Sequence, residues 1–83
     1  MLRKDEKLLT HQLKQGNESA FEQIYHLYKR PLFSFALRFI KDKELAEDAL
    51  QEVFIKLWNN SHGLDEKLSV KVFLFTCLKK TIF

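Results

Sequence analysis

The chain has one cysteine, one proline and two glycines among 83 residues. The lone thiol, Cys77, cannot close an internal disulfide; on a helical apolar stripe it reads as a small core residue. So few backbone breakers leave little room for long irregular segments. Valine occurs only three times, and no stretch alternates apolar with polar residues for long, which argues against a sheet. His11, His26 and His62 are scattered, and no Cys/His spacing suits zinc. No signal-peptide pattern and no membrane-length apolar run is found, so the expected compartment is the cytoplasm, without a membrane partner. No glycine loop or Ser/His/Asp set accompanies the carboxylates, so neither catalysis nor a cofactor is expected. Asp48 and Glu52, four apart, read as a charged helix face rather than an acid/base pair.

What is present points to a single small helical domain. Hydrophobic residues make up 46% of the chain, and eight phenylalanines supply bulk for a core. A domain of this size folds with a thin stability margin. Net charge is only +3, too mild to mark a nucleic-acid binder, but it is unevenly spread. Asp42, Glu44, Glu47, Asp48 and Glu52 crowd residues 42–52, against one base, Lys43. Lys67, Lys71, Lys79 and Lys80 occupy residues 67–83 with no acid. One surface is thus acidic and another basic.

Periodicity predicts four helices. The first covers residues 5–14, with Leu8, Leu9, His11, Gln12 and Leu13 on its less charged side, and Gly16 ends it. Asn17 or Ser19 caps the second, which runs to about Ile40. Its stripe is Phe21, Ile24, Tyr25, Tyr28, Leu32, Phe35, Ala36 and Phe39. Pro31 lies within it and predicts a kink, since the stripe continues in phase on both sides. Phe33, Leu37 and Ile40 lie off the stripe, so this half is surrounded by its own domain or offers a surface to a partner; the former is favoured. Asp42 caps the third helix, which ends near Asn59. A loop of Asn59, Asn60, Ser61, His62 and Gly63 follows, dense in turn formers. Ser69 caps a last helix over residues 70–83, with Val70, Phe73, Leu74, Cys77, Leu78 and Thr81 as its stripe. The chain ends on Phe83 inside an apolar pattern, as a domain taken from a longer protein would.

The third helix has two faces that both want a partner. At ~100° per residue, Ala46, Ala49, Leu50, Val53 and Leu57 form one stripe, the core side. Glu44, Glu47, Asp48, Gln51, Ile55 and Trp58 fall on the far side. Apolar anchors ringed by acids suit docking to a basic partner. The alternative is that Trp58 turns inward and packs on a neighbour. The Asn/Ser/His loop beside a lysine-bearing helix suits a splayed nucleic-acid strand, or is simply a connection.

The string AEDALQEVFIKLW at residues 46–58 resembles region 2.2 of bacterial RNA polymerase sigma factors. Residues 14–48 and 65–83 are similar to the start and end of the same domain in the extracytoplasmic-function (ECF) group. The resemblance implies an all-α, compact four-helix sigma region 2 domain, with a kinked second helix, spanning residues 1–83. It implies docking on the clamp helices of the polymerase β′ subunit through Asp48, Gln51, Glu52 and Trp58, to which helix geometry adds Ile55; Phe54 is taken as core. It implies capture of the melted −10 non-template strand, with a flipped base held by the loop. The contacts carried over are Asn59, Asn60, Ser61, His62 and Gly63, then Lys67, Lys71, Phe75 and Lys79 from the last helix.

Two departures stand out. Lys79-Lys80 replaces a frequent Arg-Asn, which puts a polar contact at Lys80 in doubt though two lysines still suit phosphates, and Phe73 replaces a common tryptophan. Full members also carry a C-terminal −35-reading domain, absent from these residues, and many are held by an anti-sigma factor. The rival reading is a small helical interaction module that never touches nucleic acid. A helix-turn-helix repressor fits poorly, because the last helix is too apolar for a recognition helix.

Overall fold

Side chains that can serve free helix N–H groups stand where the periodicity changes, and helices start there. In the computed structural model, which describes residues 4–65, 67 and 69–83, these are α1 (Lys4–Lys14), α2 (Glu18–Ile40), α3 (Lys43–Asn59) and α4 (Val70–Ile82). Asn17 Oδ1 accepts from the Ala20 N–H at 3.1 Å, and Asp42 Oδ1 from the Leu45 N–H at 3.1 Å. Ser69 Oγ accepts from the Lys71 N–H at 3.0 Å. Each bond satisfies one donor that its first turn leaves unpaired. Gly16, at φ 82°, turns the chain out of α1, where a side chain would be strained. Lys41 does the same after α2 at φ 57°, without glycine's freedom. The turn from α2 to α3 is therefore tight, and the two helices pack as an antiparallel pair. No strand occurs among the described residues.

The predicted stripe of α3 is the middle of the core. Ala46, Ala49, Leu50, Val53 and Leu57 are all buried, and so is Phe54. They meet Ile24, Leu32 and Ala36 of α2 and Leu74 and Leu78 of α4, and α1 contributes Leu9 and Leu13. Alanines at 20, 36, 46 and 49 bring helix backbones close, while leucines fill the space between. Phe33, Leu37 and Ile40 pack half-buried against this core, so their own domain covers that side of α2 in part.

Four positions depart from the stripes. Leu8 points out of α1 and is largely exposed; Leu9 and Leu13 carry its packing. Tyr25 and Phe39 are exposed although in phase with the α2 stripe, and Ala20, which that stripe omitted, is buried. The buried face is centred on Ala20, Ile24, Leu32 and Ala36, so Tyr25, about 100° round from Ile24, stands at its edge, while Phe39 lies in the last turn of the helix. α2 passes through Pro31 without interruption. Pro31 and Leu27 are both exposed, so the carbonyl that loses its donor lies on the wet side of the helix.

Between α3 and α4 the chain makes one turn of 3-10 helix, Ser61–Gly63, which packs on the end of α1. The His62 ring joins them: Nδ1 lies 2.7 Å from the Lys14 carbonyl and must donate to it. This carbonyl belongs to the last turn of α1, where acceptors lack helical partners. The connection is thus folded onto the body of the domain.

Candidate protein-docking and nucleic-acid surfaces

The outward face of α3 follows from its core face. With Val53 and Leu57 fully buried, helix geometry puts Ile55 on the opposite side, where it is 59% exposed. Asp48, Gln51 and Glu52 are exposed around it. Glu52 approaches Lys56 Nζ at 3.9 Å on the helix surface, a solvated pair that adds little stability. Four of the five expected docking residues therefore form one acidic face with an apolar centre.

The fifth, Trp58, combines both readings. It is half-buried, with its ring edge-to-face on Phe21 of α2 at 5.3 Å. Phe21 also meets Phe54 at 6.3 Å, and Tyr25 meets Phe54 at 4.9 Å. Trp58 is thus held by an aromatic cluster while part of its ring stays accessible beside Ile55. Such a rigid ring loses little entropy when a partner covers it.

Next to this face, α2 and α3 leave an open groove of about 320 Å³. Tyr25, Phe33 and Leu50 supply its apolar surface, Lys29 and Arg30 its α2 wall, and Glu47 and Gln51 its α3 wall. Periodicity alone did not reveal it, because a groove is made by two helices.

The second surface is divided. Asn59, Asn60, His62 and Gly63 are exposed, but Ser61 is 1% exposed. Ser61 was expected among the strand contacts; the 3-10 turn rotates it under the loop, and it presents no surface. Asn60 Nδ2 donates to the Lys56 carbonyl at 2.8 Å and so finishes α3. His62 spends Nδ1 on α1, and in that tautomer Nε2 is an acceptor. Lys67, Lys71 and Lys79 are exposed. Phe75 is half-buried, edge-to-face on Phe35 of α2 at 5.5 Å.

The loop and α4 enclose an open cavity of about 420 Å³. Asn60, Gly63 and Asp65 line its loop side, and Phe73, Thr76, Cys77 and Lys80 its helix side. At ~100° per residue, Thr76 and Lys80 lie on the flank of α4 opposite Lys71 and Phe75. The structure therefore unites the loop with Thr76 and Lys80, which were not among the expected contacts, and separates both from Lys71 and Phe75. The i, i+4 spacing of Thr76 and Lys80 was visible in the sequence, but not which flank the loop would cover. Among the described residues no group of His, Cys, Asp or Glu is arranged to hold a metal ion. No described helix is long and apolar enough to cross a membrane.

Residues 24–83 match the protein family described as Sigma-70 region 2. The chain is 36% identical over 59 residues to the ECF RNA polymerase sigma factor SigX of Bacillus subtilis (strain 168), covering 71% of this chain and 30% of that protein. It is 41% identical over 54 residues to the ECF RNA polymerase sigma factor SigM of the same organism, covering 65% and 32%. A third relative, SigW, also an ECF RNA polymerase sigma factor from that strain, is 30% identical over 64 residues, covering 77% and 34%. The chain spans about a third of the length of these relatives. No solved structure matches it.

Proposed function

Because the chain belongs to the Sigma-70 region 2 family, whose members are transcription initiation factors and not enzymes, we propose that it works by two bindings. The outward face of α3 docks on the β′ clamp helices of core RNA polymerase. The loop after α3, with α4, then holds the melted −10 non-template strand of the promoter. The observation that carries the first half is Ile55, exposed among Asp48, Gln51 and Glu52 on a helix whose other side is the core. An apolar centre inside a charged ring is where desolvation contributes most to an interface, and the carboxylates complement arginines of a basic partner.

The second half rests on the cavity between loop and α4. An extruded base needs a recess with polar groups at its edge, which Asn60 and Thr76 supply. Lys80, at the rim, suits a phosphate. Asp65 at the same rim repels phosphates, so the strand backbone runs on the Lys80 side. An anti-sigma factor that covered both surfaces would silence the domain.

Core RNA polymerase titrated with the 83-residue chain tests the docking. Asp48→Arg and Ile55→Glu are each expected to abolish binding while far-UV circular dichroism is unchanged. Wild-type affinity in both variants sinks the docking assignment. For the strand, a single-stranded −10 oligonucleotide should bind in the presence of core polymerase, and Gly63→Leu should weaken it. An added Cβ at Gly63 meets nothing within 4 Å, so the backbone there has room for a side chain, and Gly63 lines the cavity that a larger residue would narrow. No oligonucleotide binding favours the plain interaction module, and equal binding of a scrambled oligonucleotide removes −10 recognition.

A further inference from the structure

The cavity between loop and α4 has a third wall, which α1 supplies. Thr10 lines it from inside the domain, where it is 3% exposed. Its hydroxyl donates to the Glu6 carbonyl at 2.8 Å, so its proton is engaged within α1. α1 is itself well anchored: Leu9 and Leu13 are buried, and the Tyr28 hydroxyl of α2 donates to Glu6 Oε1 at 2.9 Å. At the end of α1 the Gln12 and Leu13 carbonyls accept from the Asn17 and Gly16 N–H groups at 3.1 and 2.9 Å, and the Lys14 carbonyl takes the His62 ring at 2.7 Å. The Gly16 turn lies against the same ring, since a Cβ added there would stand 3.7 Å from His62 Cε1. His62 falls between Asn60 and Gly63, which both line the cavity. The loop's own bonds are few: the Gly63 N–H donates to the Asn60 carbonyl at 3.1 Å and the Leu64 N–H to the Ser61 carbonyl at 3.3 Å. One turn of 3-10 helix is weak by itself, so its shape comes from what it is fastened to.

We propose that α1 sets the shape of the strand cavity, and that His62 is the positioning residue through which it does so. His62 acts on the strand by holding Asn60 and Gly63 in place, without touching the strand itself. Once the link to Lys14 is cut, the loop takes other shapes as well. Binding then weakens in proportion to the fraction of molecules that still holds the cavity open. This inference rests on the strand-binding reading above and adds α1 to it.

The test separates the two ring nitrogens. Asparagine can place a side-chain N–H where histidine has Nδ1 and has nothing at the Nε2 position, whereas glutamine carries its amide out to the Nε2 position. The chain bound to core RNA polymerase is titrated with the single-stranded −10 oligonucleotide as wild type, His62→Ala, His62→Asn and His62→Gln, well below the melting temperature. His62→Ala and His62→Gln are expected to weaken oligonucleotide binding about fivefold, the factor that one net hydrogen bond supplies. In the free chain both should also speed hydrogen exchange at the Gly63 and Leu64 N–H groups. His62→Asn should bring binding and exchange back near wild type, a rescue that a general loss of stability would not follow. Core polymerase affinity is the control and should be unchanged in all three. Binding kept in His62→Gln and lost in His62→Asn makes His62 a strand contact and overturns the proposal. Equal loss in all three variants, or wild-type binding in all three, overturns it too and leaves the strand reading standing. No oligonucleotide binding by wild type removes the strand reading, and this inference with it.

Discussion

At the scale of single residues, the ends of the helices are set by a few side chains. Asp42 could be read as a cap from its place before an acid-rich first turn, and it makes that bond. Asn17→Ala and Asp42→Ala should each cost about 1 kcal/mol in urea unfolding, since each leaves a helix donor unserved. Lys41 gave no such signal. Nothing in its identity announces the left-handed φ of 57° that closes α2, because lysine ordinarily avoids it. Lys41→Gly should therefore raise stability, by about 0.5–1 kcal/mol, with its gain showing as a higher urea midpoint. His62 is the opposite case: the sequence offered it as a base contact, and the fold gives one of its nitrogens to α1. His62→Ala should lose about 1 kcal/mol and speed hydrogen exchange in the last turn of α1, because that hydrogen bond spans the two elements.

At the scale of the element, α3 separates stability from the binding proposed for it. Leu57 is fully buried and Ile55, two residues away, is mostly exposed. Leu57→Ala should cost about 2–5 kcal/mol through the cavity it leaves. Ile55→Glu should stay within about 0.5 kcal/mol of wild type in unfolding, because its surroundings are already wet, yet fail to bind core polymerase. Trp58 cannot be used in this way. Its ring leans on Phe21, so Trp58→Ala removes packing together with the proposed docking surface. The core stripe of α3 was legible in full, because one uninterrupted helix keeps its phase from residue 46 to residue 57. The stripe of α2 was legible only in part, because periodicity gives a broad apolar face, and the angle at which its neighbours pack selects Ala20, Ile24, Leu32 and Ala36 from it and leaves Tyr25 at the edge.

At the scale of the whole molecule, the strand-binding proposal depends on how loop, α1 and α4 meet. The loop is fastened to α1 through His62 and to α3 through Asn60, and it opens toward Thr76 and Lys80. Lys80→Ala should flatten the salt dependence of oligonucleotide binding by about 0.7 in the log–log slope, one phosphate contact on a single strand. Lys71→Ala, on the other flank of α4, should change it less. A small helical domain has little stability in reserve, so these comparisons belong well below its melting temperature; a loss of 1 kcal/mol shifts that temperature by about 4–8 °C.

Helix number, the starts of α3 and α4 at Asp42 and Ser69, and the core stripe of α3 were determined by the sequence alone, because each depends on residues a few positions apart along one chain, whereas the choice of Asn17 over Ser19 before α2 was not. The burial of Ser61, the divided loyalty of Trp58, the groove behind Gln51 and the pairing of the loop with Lys80 were decided only by tertiary structure. Each of these arises where two elements far apart in sequence come together, and the pattern along one helix carries no record of the angle or depth at which another will meet it.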